Sequence, residues 1–288
     1  PGSNLKQISQ QLANAGIIPS QWTFIILARY LNHESAIKAG DYELTGNLSQ
    51  IALLDYLIKG NAKQNEIKFI EGWTFAQIRK VLNEHPAIEY KSAGLSDQQI
   101  LQHIGASETA VEGIFFPDTY YFIKGSSDLD ILQRAYKTMQ NHLQNYWSER
   151  VESLPLNTPY EALILASIIE KETGAESDRA EIAGVFINRL RKGMKLQTDP
   201  TVIYGLGEQF DGNLRKKDLL ADQEYNTYTR AGLPPTPISL PSLASIRAAL
   251  NPAETDALYF VAKGNGESEF STNLADHNKA VNKYQKQQ

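Results

Sequence analysis

The stretch PYEALILASIIEKETGAESDRAEIAGVFINRL, residues 159–190, carries the clearest helical patterning in the sequence. Apolar residues recur at helical spacing through its first half, and Gly174 ends that pattern. In the second half, Asp178 and Glu181 resemble a capping box, and Gly193 follows the last apolar position. The stretch therefore predicts a helix over 159–172 and a second helix from about Asp178 to Leu190.

On the C-terminal side, turn signals dominate and the chain then returns to strand patterning. Glycine and proline cluster at 197–200, 205–207 and 232–237, which predicts loops. Near the end, the apolar run 258–262 and the run 269–272 flank Gly264-Asn265-Gly266. Two such runs around a glycine-rich turn predict a β-hairpin.

On the N-terminal side, Asp128 can cap a long amphipathic helix that extends to about Ser153. The run 66–70 alternates polar and apolar residues, which predicts a strand, and Thr74 with Gln77 forms a capping box for a helix through Leu82. Residues 92–107 read as a polar helical hairpin. The first 65 residues combine three short helices with a strand over 39–44, which indicates a small α/β module.

Composition excludes several classes of protein. At ~150 residues per domain, 288 residues correspond to about two domains. A net charge of −5 argues against a nucleic-acid binder, and the absence of cysteine excludes disulfides, thiolate nucleophiles and Cys-based zinc sites. The five histidines lack metal-ligand spacing, and no dinucleotide-binding, P-loop or serine-hydrolase motif is present. No apolar run reaches the ~18 residues of a membrane span.

Glu170 is the first candidate for chemistry. It lies beside the apolar face of its helix and in the last turn, at the negative end of the helix dipole. Burial and the dipole both favour the neutral, protonated carboxyl, the form that can protonate a glycosidic oxygen. The alternative is a surface glutamate paired with Lys171 or Arg179. Glu172 is a weaker candidate, because it projects from a different face of the helix.

Three other carboxylates stand in distinctive surroundings. Asp199 precedes Pro200 in a loop, where a turn-forming role is the alternative to catalysis. Glu112 and Asp118 bracket an aromatic turn that continues to Tyr120. Rings beside carboxylates suit sugar binding, but a packed aromatic core with a Pro-Asp turn would produce the same pattern.

Several runs, in order and at matching intervals, resemble the YceG-like endolytic murein transglycosylases. The resemblance covers nearly the whole chain, and before Glu66 it rests only on 39–42. The runs that carry it are Glu112-Gly113, Phe116–Tyr120, Ala166–Thr173, Val185–Leu190, Leu196–Gly205, Tyr225–Tyr228, Gly232–Pro235, Asn273–Ala275 and His277-Asn278.

The resemblance implies an α+β fold and two domains. A small LysM-like α/β module would span residues 1–65, and a YceG-like catalytic region would span 66–288. Its core, about 155–288, would be a lysozyme-related, mainly helical domain with short β-hairpins. The family has a single-pass anchor in the bacterial inner membrane. Because Pro1-Gly2-Ser3 looks like a tag remnant, we expect this chain to be the periplasmic part without that anchor.

The resemblance also implies an activity: internal cleavage of peptidoglycan strands at the bond from N-acetylmuramic acid to N-acetylglucosamine, leaving 1,6-anhydromuramoyl ends and limiting strand length. It assigns the catalytic acid to Glu170 and requires no metal or organic cofactor. Glycan strands are the expected partner, with cell-wall synthesis enzymes as further family partners. A hydrolytic muramidase, with Asp199 or another acid activating water, and a non-catalytic wall-binding scaffold are the alternatives. The residues expected to line the glycan groove are Glu112, Asp118, Tyr120, Asn188, Gln197, Asp199, Asn226, Thr227 and Tyr228.

Overall fold

A computed structural model describes residues 4–38, 42, 44, 48–60 and 64–285 of the chain. Short strands accompany many helices, which confirms the predicted α+β class. The helices are α1 (Leu5–Asn14), α2 (Gln21–Tyr30), α3 (Gln50–Lys59), α4 (Phe75–Glu84), α5 (Asp97–Ile104), α6 (Asp128–Ser148), α7 (Pro159–Glu172), α8 (Glu176–Arg191), α9 (Asp199–Leu206), α10 (Lys216–Leu220), α11 (Leu243–Leu250) and α12 (Leu274–Tyr284). The strands are β1 (Asn65–Lys68), β2 (Ile88–Glu89), β3 (Thr119–Phe122), β4 (Ser126–Ser127), β5 (Tyr259–Ala262) and β6 (Ser268–Ser271).

The chain divides into two compact units. The first comprises residues 1–67, 85–89 and 121–127. Its core packs Phe24 and Ala28 of α2 against Leu53, Leu54 and Leu57 of α3, and β2 pairs with β4 in parallel. Most of the strand predicted over 39–44 lies outside the described residues. The LysM-like assignment and the boundary at residue 65 therefore stay predictions.

The second unit comprises residues 68–84, 90–120 and 128–288 and is built around α7. Every residue from Ala162 to Ile169 is buried, because α6, α8 and α11 all pack against this helix. The Thr158 side chain caps its N-terminus by accepting from the backbone N–H of Glu161, and Pro159 occupies the first turn. The helix ends where Thr173 turns to an extended conformation. The range predicted for this helix is confirmed.

A β-hairpin with a helix packed on it completes the second unit. β5 and β6 are antiparallel, with Tyr259 opposite Ser271. Gly264 and Gly266 both have positive φ, which the tight connection requires. The predicted hairpin is confirmed, and α12 packs on both of its strands.

Some boundaries differ from the sequence-based expectations. α8 begins two residues before Asp178 and has no side-chain cap, and α6 ends at Ser148 rather than Ser153. Residues 92–107 contain one helix, α5, instead of a hairpin of two. The 197–200 segment, expected to be a loop, starts α9, since proline is well suited to the first turn of a helix. None of the described helices is long and apolar enough to cross a bilayer.

Candidate active site

A cleft of about 450 Å³ opens in the second unit, between the ends of three helices on one side and the hairpin with α12 on the other. Its polar wall consists of Glu172, Arg189, Gln197, Asp199 and Tyr228. These residues come from the end of α7, from α8, from the start of α9 and from the loop after α10. The cleft is therefore assembled from segments that are distant in sequence.

Glu172 is the last residue of α7 and the carboxyl group with the most distinctive surroundings in the cleft. Burial raises the pKa of Glu172 to about 7, and the neighbouring Asp199 acts in the same direction. A hydrogen bond from the Thr198 hydroxyl to Glu172 Oε1 and the charge of Arg189 oppose this shift. A carboxyl with a pKa near 7 can release and recover a proton at neutral pH, as a general acid must.

The segment that holds Thr198 against Glu172 is fixed by buried hydroxyls. Thr227 Oγ1 accepts from Thr198 N at 3.0 Å, and Thr201 Oγ1 donates to Thr198 O at 2.8 Å. Gln197, next to this network, has a φ of 49°, which is uncommon for a residue other than glycine. Such strain persists where the surrounding structure enforces it, often at functional sites.

Asp199 and Tyr228 form a second polar pair in the cleft. The Tyr228 hydroxyl donates to Asp199 Oδ1 at 2.5 Å. Burial, and after it the hydrogen bond to Asp199, raises the pKa of Tyr228. Tyr228 therefore keeps its proton and acts as a donor. A carboxyl of raised pKa and a second carboxylate oriented by a phenol thus share one cleft.

Arg189 is the buried member of the polar wall. Its Nε donates to the carbonyl of Leu258 at 2.7 Å, and its Nη1 to the carbonyl of Leu196 at 2.7 Å. The guanidinium also lies 5.1 Å from the centroid of the Tyr259 ring. Arg189 thus ties the residues before α9 to the hairpin and places a fixed positive charge beside the carboxylates.

Glu170, expected to be the catalytic acid, lies outside the residues that line the cleft. Its Oε2 accepts from Ser242 N at 2.9 Å, from Ser242 Oγ at 2.5 Å and from Ser245 Oγ at 2.7 Å. Ser242 is the N-cap of α11, so Glu170 binds the N-terminus of that helix. These contacts join the end of α7 to the start of α11.

Four of the expected groove residues lie in or behind the cleft. Gln197, Asp199 and Tyr228 line it, and Thr227 lies behind it, bonded to Thr198.

The remaining five have bonds that hold the fold and do not line the cleft. Glu112 is buried, accepting from Phe75 N and from the Tyr204 hydroxyl, and burial raises the pKa of Glu112 to about 7. The other four bond to backbone groups: Asp118 accepts from Thr119 N, Tyr120 donates to Phe116 O, and Asn188 donates to Thr255 O and Ala257 O. Asn226 donates to the carbonyls of Asp218 and Leu219 in α10 and of Ala221 just after it.

Sequence reasoning did not identify Arg189, Tyr259 and His277 as cleft residues, and it ranked Glu172 below Glu170. The position of Glu172 at the end of its helix, just before Gly174, is visible in the sequence. Its contact with Thr198 is not. Across the described ranges, no group of three or more His, Asp or Glu side chains could hold a metal ion.

The fold and the cleft define an α+β protein with a site suited to acid–base chemistry on a polar substrate. The sequence profile of the YceG-like family matches residues 1–283. The chain belongs to this family.

Similar proteins from three bacteria support this family assignment. The chain is 34% identical over 301 residues to an endolytic murein transglycosylase of Bacillus subtilis, covering 98% of this chain and 82% of that protein. It is 29% identical over 314 residues to an endolytic murein transglycosylase of Streptococcus pneumoniae, of which it spans 56%. A crystal structure of a yceG-like protein from Listeria monocytogenes superposes with a TM-score of 0.63 at 32% identity, covering 96% of this chain and 95% of that one.

Proposed function

We propose that this protein cleaves the glycan strands of peptidoglycan internally, as an endolytic lytic transglycosylase, and that Glu172 is its catalytic acid. The observation that carries the proposal is a carboxyl of pKa about 7 in a cleft that also contains Gln197, Asp199 and Tyr228. The names of the relatives support peptidoglycan as the substrate. Such a substrate lies outside the cytoplasm, and so would the enzyme.

The reaction needs one group that first gives and then takes a proton. Protonated Glu172 donates to the glycosidic oxygen as the bond from muramoyl C1 breaks. The resulting carboxylate then accepts the proton of the muramoyl 6-hydroxyl as that oxygen attacks C1. The product carries a 1,6-anhydro ring, and no water is consumed. Because the nucleophile belongs to the same sugar, its effective concentration is high.

Glu172 suits both steps better than Glu170. Its carboxyl lines the cleft, and burial holds its pKa near neutrality. Glu170 Oε2 is instead surrounded by three donors at the start of α11. The assignment to Glu170 remains a prediction that one matched pair of variants tests.

The test compares Glu172→Gln with Glu170→Gln on purified sacculi and on uncrosslinked glycan strands, with products identified by mass spectrometry. We expect Glu172→Gln to reduce cleavage by about 100-fold or more, since it cannot donate a proton. Glu170→Gln keeps an oxygen acceptor for Ser242 and should retain most activity. If Glu170→Gln loses activity and Glu172→Gln keeps it, Glu170 is the acid. Wild-type activity in both variants would contradict an acid role for either glutamate.

A hydrolytic muramidase is the second candidate, favoured by the Asp199 carboxylate in the same cleft. In that reaction Asp199 would activate a water molecule that attacks C1. Products lighter by one water than the hydrolytic muropeptides identify the transglycosylase, whereas reducing muramoyl ends identify the muramidase. No cleavage of either substrate by the wild-type protein would favour the non-catalytic scaffold.

Three expectations from the resemblance extend this proposal. The first 65 residues would form a LysM-like module ahead of a lysozyme-related catalytic core. An anchor in the inner membrane would hold the enzyme at the periplasmic face. Enzymes of cell-wall synthesis would be its protein partners. Glycan binding by the whole chain, compared between the wild type and a Trp22→Ala variant of the exposed Trp22 in α2, tests the role of the module.

A further inference from the structure

One wall of the cleft has no role in the proton transfers described above. It is formed by the face of α12 on which Leu274, His277 and Val281 recur at intervals of three and four residues. All three line the cleft. The wall therefore presents one imidazole between two aliphatic side chains.

The imidazole of His277 is held in a defined orientation. Its ring stacks on Tyr259, with centroids 5.2 Å apart and an angle of 26° between the planes. The guanidinium of Arg189 contacts the same Tyr259 ring. Since the hairpin and α8 both support this stack, the position of the imidazole does not depend on α12 alone.

The two ring nitrogens of His277 differ in their surroundings. Nδ1 is buried and has no hydrogen-bond partner within the described part of the chain. A proton on Nδ1 would leave a buried N–H donor without an acceptor. An unprotonated Nδ1 would leave a buried acceptor without a donor, which costs less free energy. The proton therefore belongs on Nε2, which gives the cleft a donor. Burial, followed by the charge of Arg189, lowers the pKa of His277 and so favours the neutral ring.

We propose that the Leu274–His277–Val281 wall is a subsite for a small acyl amide of the substrate, in which His277 Nε2–H donates to the amide carbonyl and the aliphatic side chains contact the adjoining methyl group. This inference rests on the proposed function. Peptidoglycan offers this chemistry in two places: the acetamido groups of its sugars and the lactyl-peptide link of the muramoyl residue. The first source would make the wall a glycan subsite, and the second would make it a reader of peptide stems.

The experiment uses the full chain with His277→Asn, His277→Gln and, as a surface control in the same unit, His103→Asn. A Gln side chain can place an N–H near the position of Nε2, whereas Asn reaches only the position of Nδ1. Each protein is assayed on uncrosslinked strands with peptide stems and on the same strands after an amidase has removed the stems. Affinities are also measured in a Glu172→Gln background, so that binding is read without turnover.

For His277→Asn we expect KM and the dissociation constant to rise about five- to tenfold, because one hydrogen bond to the substrate is lost. The change in kcat should be much smaller. His277→Gln should recover most of the affinity, which a purely structural role for His277 would not explain. An effect that survives stem removal assigns the subsite to the acetamido group, and one that disappears assigns it to the stem.

Equal KM and affinity for His277→Asn, His103→Asn and the wild type on both substrates would overturn the subsite. So would a loss of kcat and thermal stability that His277→Gln does not restore. Failure of the proposed function can be distinguished from failure of the subsite. If the protein does not cleave glycan, the wild type would bind strands without cleaving them, and the difference in affinity between the His277 variants could still be measured.

Discussion

Replacing Thr198 with valine should move the pH dependence of cleavage in a direction that the structure determines. The Thr198 hydroxyl donates to Glu172 Oε1 and is almost fully buried. A hydrogen bond of this kind favours the charged carboxylate and lowers its pKa. Valine has nearly the same shape without the donor, so Thr198→Val should raise the pKa of Glu172.

The size of the shift follows from the energy of one such bond. A hydrogen bond to a charged group contributes about 1.5 kcal/mol or more, and 1.36 kcal/mol corresponds to about one pKa unit. The pKa of Glu172 should therefore rise from about 7 to about 8. At pH 8 the variant would keep about half of its acid form and the wild type about a tenth, a fivefold difference relative to each enzyme's low-pH activity.

The assay is kcat/KM on soluble, uncrosslinked glycan strands between pH 5 and pH 9. Thr201→Val is the matched control, because Thr201 is also buried and bonds to Thr198 O but does not contact Glu172. We expect the alkaline limb of the pH profile to move up by about one pH unit in Thr198→Val and to stay in place in Thr201→Val. A limb that stays in place, moves to lower pH or moves equally in the control would refute the assignment of Glu172 as the acid.

Three further changes test the surrounding framework. Glu112→Gln should leave the melting temperature unchanged near pH 4.5 and raise it at pH 8. Folding raises the pKa of Glu112 from 4.5 to about 7, so its ionisation lowers the stability of the wild-type protein by up to about 3 kcal/mol as the pH increases through that range. Glutamine does not ionise, so the variant avoids this loss. Gln197→Gly should relieve the positive φ, so thermal melts should show equal or higher stability while KM rises through loss of a cleft side chain. Gly113→Ala should destabilise the fold by about 3 kcal/mol or more in denaturant unfolding, because the new Cβ would lie 2.2 Å from Pro237 Cβ. Gly174→Ala is the control: Gly174 has open space around it, so this variant should change stability little.

Elements with strong local signals were predictable from the sequence. α7 begins and ends as its pattern indicates, because Pro159, the Thr158 cap and the stop near Gly174 are all local features. The hairpin likewise follows from two apolar runs around a glycine turn. α11, by contrast, was not identified, although Ser242 caps it in the usual way.

The candidate site was predictable only in part. Gln197, Asp199 and Tyr228 occur in the motif runs and line the cleft. Glu112 and Asn226 occur in equally distinctive runs, yet their side chains bond to backbone groups outside the cleft. A motif identifies residues that matter to a family, but it does not separate those that contact substrate from those that hold loops in place.

What the sequence by itself determined is the family, the main helices, the hairpin and a pair of glutamates at the end of one helix. Only the tertiary structure gives those glutamates different surroundings. Two residues apart on α7, Glu170 turns to Ser242 and Ser245, more than 70 positions away, while Glu172 turns to Thr198 and the cleft. Burial and hydrogen-bond partners determine the protonation of a carboxyl, and both come from segments that meet only when the chain has folded.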